Sequence, residues 1–352
     1  MYFSASGLAP EAAFLDITMT TKTSMRALIL DNYEGAPFRD TQIDLAAPGQ
    51  GEVQVKIHAS GVNPIDYKIR TGQAPYAMPV LPAVLGTDLA GEIVAIGAGV
   101  VEFAVGDQVY GLTGGVRGLQ GSLAEYANVD AALIALKPKN ISMREAAAIP
   151  LVALTAWEGL VDRANIQPGQ TVLVQGGAGG VGHMAVQIAK ALGAKVFATT
   201  STDKLPLVKE LGATAIDYTK TPLEQYLQEY TQGQGFDIIY DTVGGPTLEA
   251  SLGATRHYGR VVSCAAFGPH NLASSSLRST DVSGVFVLHP MLSGERRAHH
   301  GEILRRVTAL VEAGQVRAVL DSRRFTLDKA MAAHDAVEQG ANIKVVIDVI
   351  ES

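Results

Sequence analysis

Three glycines, Gly177, Gly179 and Gly182, stand in G-x-G-x-x-G spacing within the run Thr171-Val172-Leu173-Val174-Gln175-Gly176-Gly177-Ala178-Gly179-Gly180-Val181-Gly182. That spacing suits a dinucleotide pyrophosphate. Gly177 allows the tight turn, Gly179 lets the backbone approach the phosphates, and Gly182 lets a helix lie close on the strand. With Ala178, Gly180 and Val181 these residues form a loop at a helix N-terminus, where free N–H groups and the helix dipole favour an anion. About 20 residues on, an NAD site usually carries Asp or Glu for the ribose hydroxyls. This chain has Thr199-Thr200-Ser201 there, then Asp203 and Lys204. Small hydroxyls plus a lysine add donors and positive charge without a repelling carboxylate, which suits a 2′-phosphate and hence NADPH.

The spacing alone is weak in a chain with 37 glycines. Its surroundings strengthen it. Val181, Ala185, Ile188, Ala189 and Leu192 share one helical face, Gly193 stands where a C-terminal glycine is expected, and Lys195–Thr199 reads as the next strand. Strand, turn, helix and strand make one right-handed crossover. Further strands are expected at Ala215–Asp217, Asp237–Tyr240, Arg260–Cys264 and Val285–Leu288. Six strands joined by crossovers imply a doubly wound parallel sheet.

From Met25 to about Pro150 the chain instead alternates short strand-like runs with Gly/Pro punctuation, at Met25–Leu30, Glu52–Ala59, Leu89–Ile96 and Gln108–Tyr110. That implies a mostly β domain. A helix from Gly301 (Ile303, Leu304, Val307, Leu310, Val311) leads to a closing strand, Lys344–Val349, which should return to the first domain. The expected organisation is α/β: an N-terminal tail 1–24, a mostly β domain 25–150, a Rossmann domain 151–290 interrupting it, and the completion of the first domain in 291–352. Met19 and Met25 are alternative starts.

A length of 352 residues fits two domains, and 47% hydrophobic residues give ample core. A net charge of −7 argues against nucleic acid as a partner. No apolar run reaches membrane-spanning length. One cysteine, Cys264, excludes an internal disulfide and any multi-cysteine zinc site, which fits a cytoplasmic setting.

Several segments in order carry a resemblance. They are Gly61-Val62-Asn63-Pro64-Ile65-Asp66-Tyr67-Lys68, Leu85-Gly86-Thr87-Asp88-Leu89-Ala90-Gly91-Glu92, Gly106-Asp107-Gln108-Val109-Tyr110-Gly111, Leu154-Thr155-Ala156-Trp157, the Gln175–Gly182 turn and Phe236–Gly245. From Met25 onward the chain resembles the medium-chain dehydrogenase/reductase superfamily, in its zinc-free quinone oxidoreductase-like branch. The resemblance implies a GroES-like catalytic domain interrupted by a Rossmann domain, and an NADPH-dependent reductase of quinones or α,β-unsaturated carbonyls. A homodimer is expected, since pairing through the last Rossmann strand is common in the superfamily.

Zinc-bearing members place ligands at positions that align with Asn63, Thr87-Asp88 and Leu151. Thiolate and imidazole are gone here, whereas catalytic zinc needs three protein ligands. No metal is therefore expected. His299-His300 reads as a solvated helix start, His58 as a satisfied core residue, and His183 as packing or bonding locally. The branch implies that Lys204 and Tyr218 hold the 2′-phosphate, that Thr155, Val243-Gly244 and Ala265-Ala266-Phe267-Gly268 line the cofactor, and that Phe286-Val287-Leu288 approach the nicotinamide amide. Asn63, Asp66 and Lys68 are the catalytic candidates, with Asn63 also on the cofactor side and Asp66 capping its turn. Lys68 could hydrogen-bond a substrate carbonyl and stabilise an enolate, or deliver the proton. Tyr126 should pack near the cleft. A cofactor role for Asn342 or Lys344 is not expected, because Ile343-Lys344 replaces the usual Gly-Lys. The alternatives are an enoyl-thioester reductase of the same superfamily, or a non-enzymatic, zeta-crystallin-like structural or RNA-binding protein.

Overall fold

In Glu52–Val62 the alternation of Val53, Val55, Ile57 and Ala59 buries one face completely, as period-two patterning dictates. The computed structural model describes residues 23–341 and 343–350. Most of the expected N-terminal tail, including Met19, and Asn342 lie outside the described residues. Glu52–Val62 centres a seven-stranded sheet with path Phe325–Thr326, Val345–Asp348, Glu52–Val62, Asp88–Ile96, Gln108–Leu112 and Ile134–Leu136. Tyr126–Asp130 also pairs with Glu52–Val62, with Tyr126 opposite Lys56. Val345 lies opposite Val62 in an antiparallel pair, so the end of the chain closes onto its first domain. A three-stranded sheet of Arg39–Asp44, Ser24–Leu30 and Ala83–Val84 lies beside it.

The second domain has a six-stranded parallel sheet in the order Thr214–Asp217, Lys195–Thr200, Thr171–Gln175, Phe236–Asp241, Thr255–Ser263, Asp281–Gly284. Val172, Leu173 and Val174 are wholly buried, because a central parallel strand is covered on both faces. The helix Gly180–Ala191 lays Met184, Ala185, Ile188 and Ala189 into the core, and Gly193 follows it at φ +83°, the left-handed residue that ends such helices.

The sixth strand corrects the sequence reading. It is Asp281–Gly284, not Val285–Leu288. Val285, Val287 and Leu288 are buried, but their apolar character marks burial beyond the strand. The ladder is set by parallel pairing with Arg260–Ser263, Arg260 opposite Asp281.

The histidines are corrected too. The helix runs Arg297–Glu312, and His300 is buried inside it, where burial pushes its pKa down to about 4. His299 Nε2 lies 2.7 Å from Asp162 Oδ2; burial lowers its pKa, but Asp162 and Glu302 raise it overall. His58 is half-buried, and its Nε2 has no hydrogen-bond partner.

Candidate active site

The glycine turn is built by close backbone approach. Gly176 takes φ +77°, so the tight turn belongs to Gly176 and not to Gly177. Gly177 serves close packing instead, since a Cβ there would stand 2.6 Å from Ala198 Cβ on the neighbouring strand. Gly179 N donates to Gly176 O at 2.9 Å. A Cβ on Gly182 would fall 2.0 Å from that same oxygen, so only glycine lets the helix start against the turn. His183 bonds locally, with Nδ1 3.0 Å from Gly179 O, and burial holds its pKa down to about 4.

A cleft of about 680 Å³ opens over this turn. Ala178, Gly179, Thr200, Ser201, Lys204, Tyr218 and Val243 all line it, and among the described residues Lys204 is the one charged residue in that lining. Gly177, Gly180, Val181 and Gly182 stand outside that lining. Ser201 Oγ donates to Asp203 Oδ1 at 2.5 Å. The carboxylate that would oppose a phosphate is thereby engaged by its own turn. Tyr218 is 62% exposed, a phenol left available. The fit to a phosphorylated dinucleotide rests on these observations: a helix start held close against the glycine turn by Gly182, Ala178 and Gly179 lining the cleft above it, and a lining whose sole charge among the described residues is positive.

The rest of the cofactor candidates lie at or just past the C-terminal ends of the parallel strands, the edge where such sheets bind ligands. Val243, Phe267 and Phe286 are exposed apolar side chains there, Ala266 is exposed and Leu288 is buried. Asp241 ends the fourth strand wholly buried, accepting from Val243 N at 3.1 Å, Gly244 N at 3.0 Å and Ser263 Oγ at 2.6 Å. The Phe286 ring meets Tyr76 of the first domain edge-on, centroids 5.5 Å apart. Thr155 is buried, and its hydroxyl donates to Leu151 O at 2.6 Å.

The catalytic candidates divide. Asn63 and Asp66 sit inside the protein. Asn63 is the N-cap of the helix Pro64–Arg70, and its N–H donates to Asp66 Oδ2 at 2.7 Å, the reciprocal half of a capping box. The Asn63 amide is spent within the protein. Nδ2 donates to Thr87 Oγ1 at 3.1 Å and to Asp88 Oδ2 at 2.8 Å, and Oδ1 accepts from Lys344 Nζ. Lys344 also donates to Val62 O at 3.3 Å and lies 3.7 Å from Asp88 Oδ2. The other Asp88 oxygen accepts from Leu151 N at 2.9 Å. Positions 63, 87, 88 and 151 therefore converge, as the resemblance implies, but around an ammonium. Lys68, two residues beyond Asp66, is half-buried, and its ammonium makes no hydrogen bond or ion pair among the described residues. Among those residues no three His, Cys, Asp or Glu side chains gather as a metal would require.

Residues 49–139 match the alcohol dehydrogenase GroES-like domain, and residues 180–299 match the zinc-binding dehydrogenase family. The chain is 36% identical over 357 residues to the 2-methylene-furan-3-one reductase of Solanum lycopersicum, covering 98% of this chain and 84% of that protein. It belongs to the medium-chain dehydrogenase/reductase superfamily. Another member, the chloroplastic NADPH-dependent alkenal/one oxidoreductase of Arabidopsis thaliana, is 33% identical, with 98% and 85% covered. A solved alcohol dehydrogenase superfamily protein from Novosphingobium aromaticivorans superposes with a TM-score of 0.90 at 50% identity, over 93% of this chain and all of that one.

For a medium-chain dehydrogenase/reductase, the part of this site least visible in sequence is the set of buried charges. Burial pushes Asp66 up to about 7, with Asp88 adding to the rise while the Asn63 N–H, Lys344 and Thr87 oppose it. Burial also raises Asp88 and lowers Lys344, each held back by the other. A carboxyl raised in the folded state binds its proton more tightly there than when unfolded. Its stabilising contribution is present below about pH 4 and is lost as pH rises through about 7. Between pH 5 and 8 the melting temperature of the wild type should therefore fall more than that of Asp66→Asn, measured by calorimetry. Parallel curves would show that Asp66 is ionised throughout. The cleft over the glycine turn also holds residues that the sequence does not mark. Tyr226, Thr242 and Thr247 line the cleft; they lie on helices or beyond strand ends with no spacing to mark them.

Proposed function

We propose that this chain is an NADPH-dependent reductase of quinones or α,β-unsaturated carbonyl compounds that works without a metal ion. The observation carrying the cofactor preference is the cleft lining, whose single charged residue among the described ones, Lys204, stands with Thr200, Ser201 and Tyr218. The names of two relatives, a furanone reductase and an alkenal/one oxidoreductase, support the substrate class. The positions that zinc-bearing members use for ligands hold Asn63, Thr87, Asp88 and Leu151, a set short of the three Cys, His or carboxylate donors that catalytic zinc takes.

Bound over the glycine turn, NADPH supplies the hydride. The protein's own part is to orient, exclude water and steady charge. Lys204 and Tyr218 hold the 2′-phosphate, and Ala178 and Gly179 face the pyrophosphate. Val243, Ala266, Phe267, Phe286 and Leu288 give an apolar wall around the nicotinamide. Lys68, unpaired, donates to the substrate oxygen that gains negative charge. Asn63, Asp66 and Thr155 act by holding their helices. The reading includes a homodimer in a reducing, cytoplasmic setting, with no nucleic-acid or membrane partner.

The test is NADPH consumption against a panel of quinones, enones, enals, enoyl thioesters and alcohols, with and without added zinc. Turnover of quinones or enones, indifferent to zinc, is expected. Turnover confined to alcohols, or dependent on zinc, overturns the reading, and turnover confined to thioesters favours the enoyl-thioester alternative. Lys204→Ala should raise the NADPH Michaelis constant about 10- to 30-fold, the worth of one charged hydrogen bond, and leave NADH within about twofold. Equal effects on both cofactors would place the phosphate elsewhere.

A further inference from the structure

The convergence at Asn63 and Asp88 joins four elements that lie far apart in the sequence. Asn63 caps the helix Pro64–Arg70, which carries Lys68. Asp88 opens the strand Asp88–Ile96. Leu151 N, which Asp88 accepts, belongs to the first turn of the helix Pro150–Trp157, which carries Thr155. Lys344 stands directly before the closing strand Val345–Asp348. Its own backbone is fixed by Lys344 N donating to Val319 O at 3.1 Å and by Asp321 N donating to Lys344 O at 2.8 Å. The ammonium is thus delivered to a defined point, only 4% exposed, facing three oxygens: Asn63 Oδ1, Val62 O and Asp88 Oδ2. Such a site is closed to solvent. A cation placed there acts on its neighbours alone.

Without that cation the neighbours lose their geometry. Asp88 and Asp66 would face one another across Thr87 and Asn63 with no counter-charge. One carboxyl would have to take a proton, and Asp88 could then no longer accept from both Asn63 Nδ2 and Leu151 N as an anion. Asn63 would lose the donor on its Oδ1, which fixes the rotation of its amide. Asp66 Oδ1 is already a buried oxygen without a partner, so the cluster has no spare donor to make up the loss.

We propose that Lys344 is the resident cation of this junction: a positioning residue whose ammonium holds Asn63 and Asp88, and through them sets the helix bearing Lys68 against the helix bearing Thr155. The proposal rests on the reductase reading for its kinetic consequence and on the structure alone for its coupling. Lys344 is buried and lies outside the lining of the cleft over the glycine turn. Its effect should therefore fall on kcat and leave nucleotide affinity nearly untouched, because the glycine turn and Lys204 lie on other elements.

The experiment is a double-mutant cycle of Lys344→Met, Asp88→Asn and the two combined, read by thermal unfolding and by kcat and KM measured separately for NADPH and an enone. Each single variant should lower the melting temperature by several degrees and reduce kcat at least tenfold, with the NADPH KM within about threefold. The double variant removes the Lys344–Asp88 pair together and leaves Asp66 as the single carboxyl, free to hold a proton, so it should recover most of the lost melting temperature and part of kcat. Strictly additive losses overturn the proposal, as does a Lys344→Met protein that melts lower but keeps wild-type kcat. If the singles do not fold, a double variant that folds no better overturns it equally. A wild type inactive on every quinone and enone would sink the reductase reading, while the melting-temperature cycle would still decide the coupling.

Discussion

Replacing Lys68 by methionine is expected to lower kcat for an enone by about 10²- to 10³-fold, the range lost when one donor to a developing oxyanion is removed. Lys68 lies in the short helix Pro64–Arg70, whose N-terminus is locked by the Asn63–Asp66 capping box and whose Arg70 pairs with Asp335 at 2.9 Å. The backbone under Lys68 is thus pinned at both ends, while its ammonium has no partner among the described residues. Hydride addition to the β-carbon moves negative charge onto the carbonyl oxygen. A cation that meets this charge gains most when the charge is fully developed, so its loss falls on kcat more than on KM. The NADPH KM should stay unchanged. A quinone, which spreads the charge over its ring, should lose less than an enone. Methionine keeps the length and apolar stem of lysine, so a fall in melting temperature is not expected. Steady-state kinetics with both substrate classes check this, and an unchanged kcat would make Lys68 a solvated lysine with no chemical part.

The fold was largely legible because its signals are local. The period-two alternation of Glu52–Val62 and the strand–glycine–helix passage at Thr171–Ala191 each depend on residues a few positions apart. The sixth Rossmann strand was misplaced by four residues for the converse reason. Asp281–Gly284 is a largely exposed edge strand of weak hydrophobicity, while the apolar Val285, Val287 and Leu288 are buried without joining the ladder. At the adenosine end, Ala178, Gly179, Lys204 and Tyr218 fall in one cleft, as motif and resemblance imply. The substrate side was harder. Asn63 and Asp66 are spaced as a capping box, which a sequence shows. That Lys344 reaches across 281 positions to Asn63 is decided by the antiparallel register of Val345 with Val62, which it does not. The local departure Ile343-Lys344 argues against a cofactor role, and the long-range pairing places the ammonium against Asn63 and Asp88 instead.

Substituting alanine at Gly182 should weaken NADPH binding by about 10²-fold or more and lower the melting temperature. The added Cβ would lie 2.0 Å from Gly176 O, 2.8 Å from Gly176 C and 3.0 Å from Gly177 Cα. All three are backbone atoms, so no side chain can swing aside. The helix must move off the turn, breaking the approach that Gly179 N makes to Gly176 O and turning the helix N-terminus away from the phosphates. Overpacking of this kind costs about 1–3 kcal/mol in stability alone. Gly180→Ala is the control, because its Cβ would meet only Val152 Cγ1 at 3.5 Å, an ordinary contact; its melting temperature should stay near that of the wild type. Gly179→Ala separates folding from binding. Its Cβ would stand 3.2 Å from Gly176 O, a displacement of a few tenths of an ångström, yet Gly179 lines the cleft. That variant should fold nearly as well as the wild type and still bind NADPH more weakly in a fluorescence titration. Full affinity in both Gly179→Ala and Gly182→Ala would mean that this elbow packs the domain and carries no nucleotide.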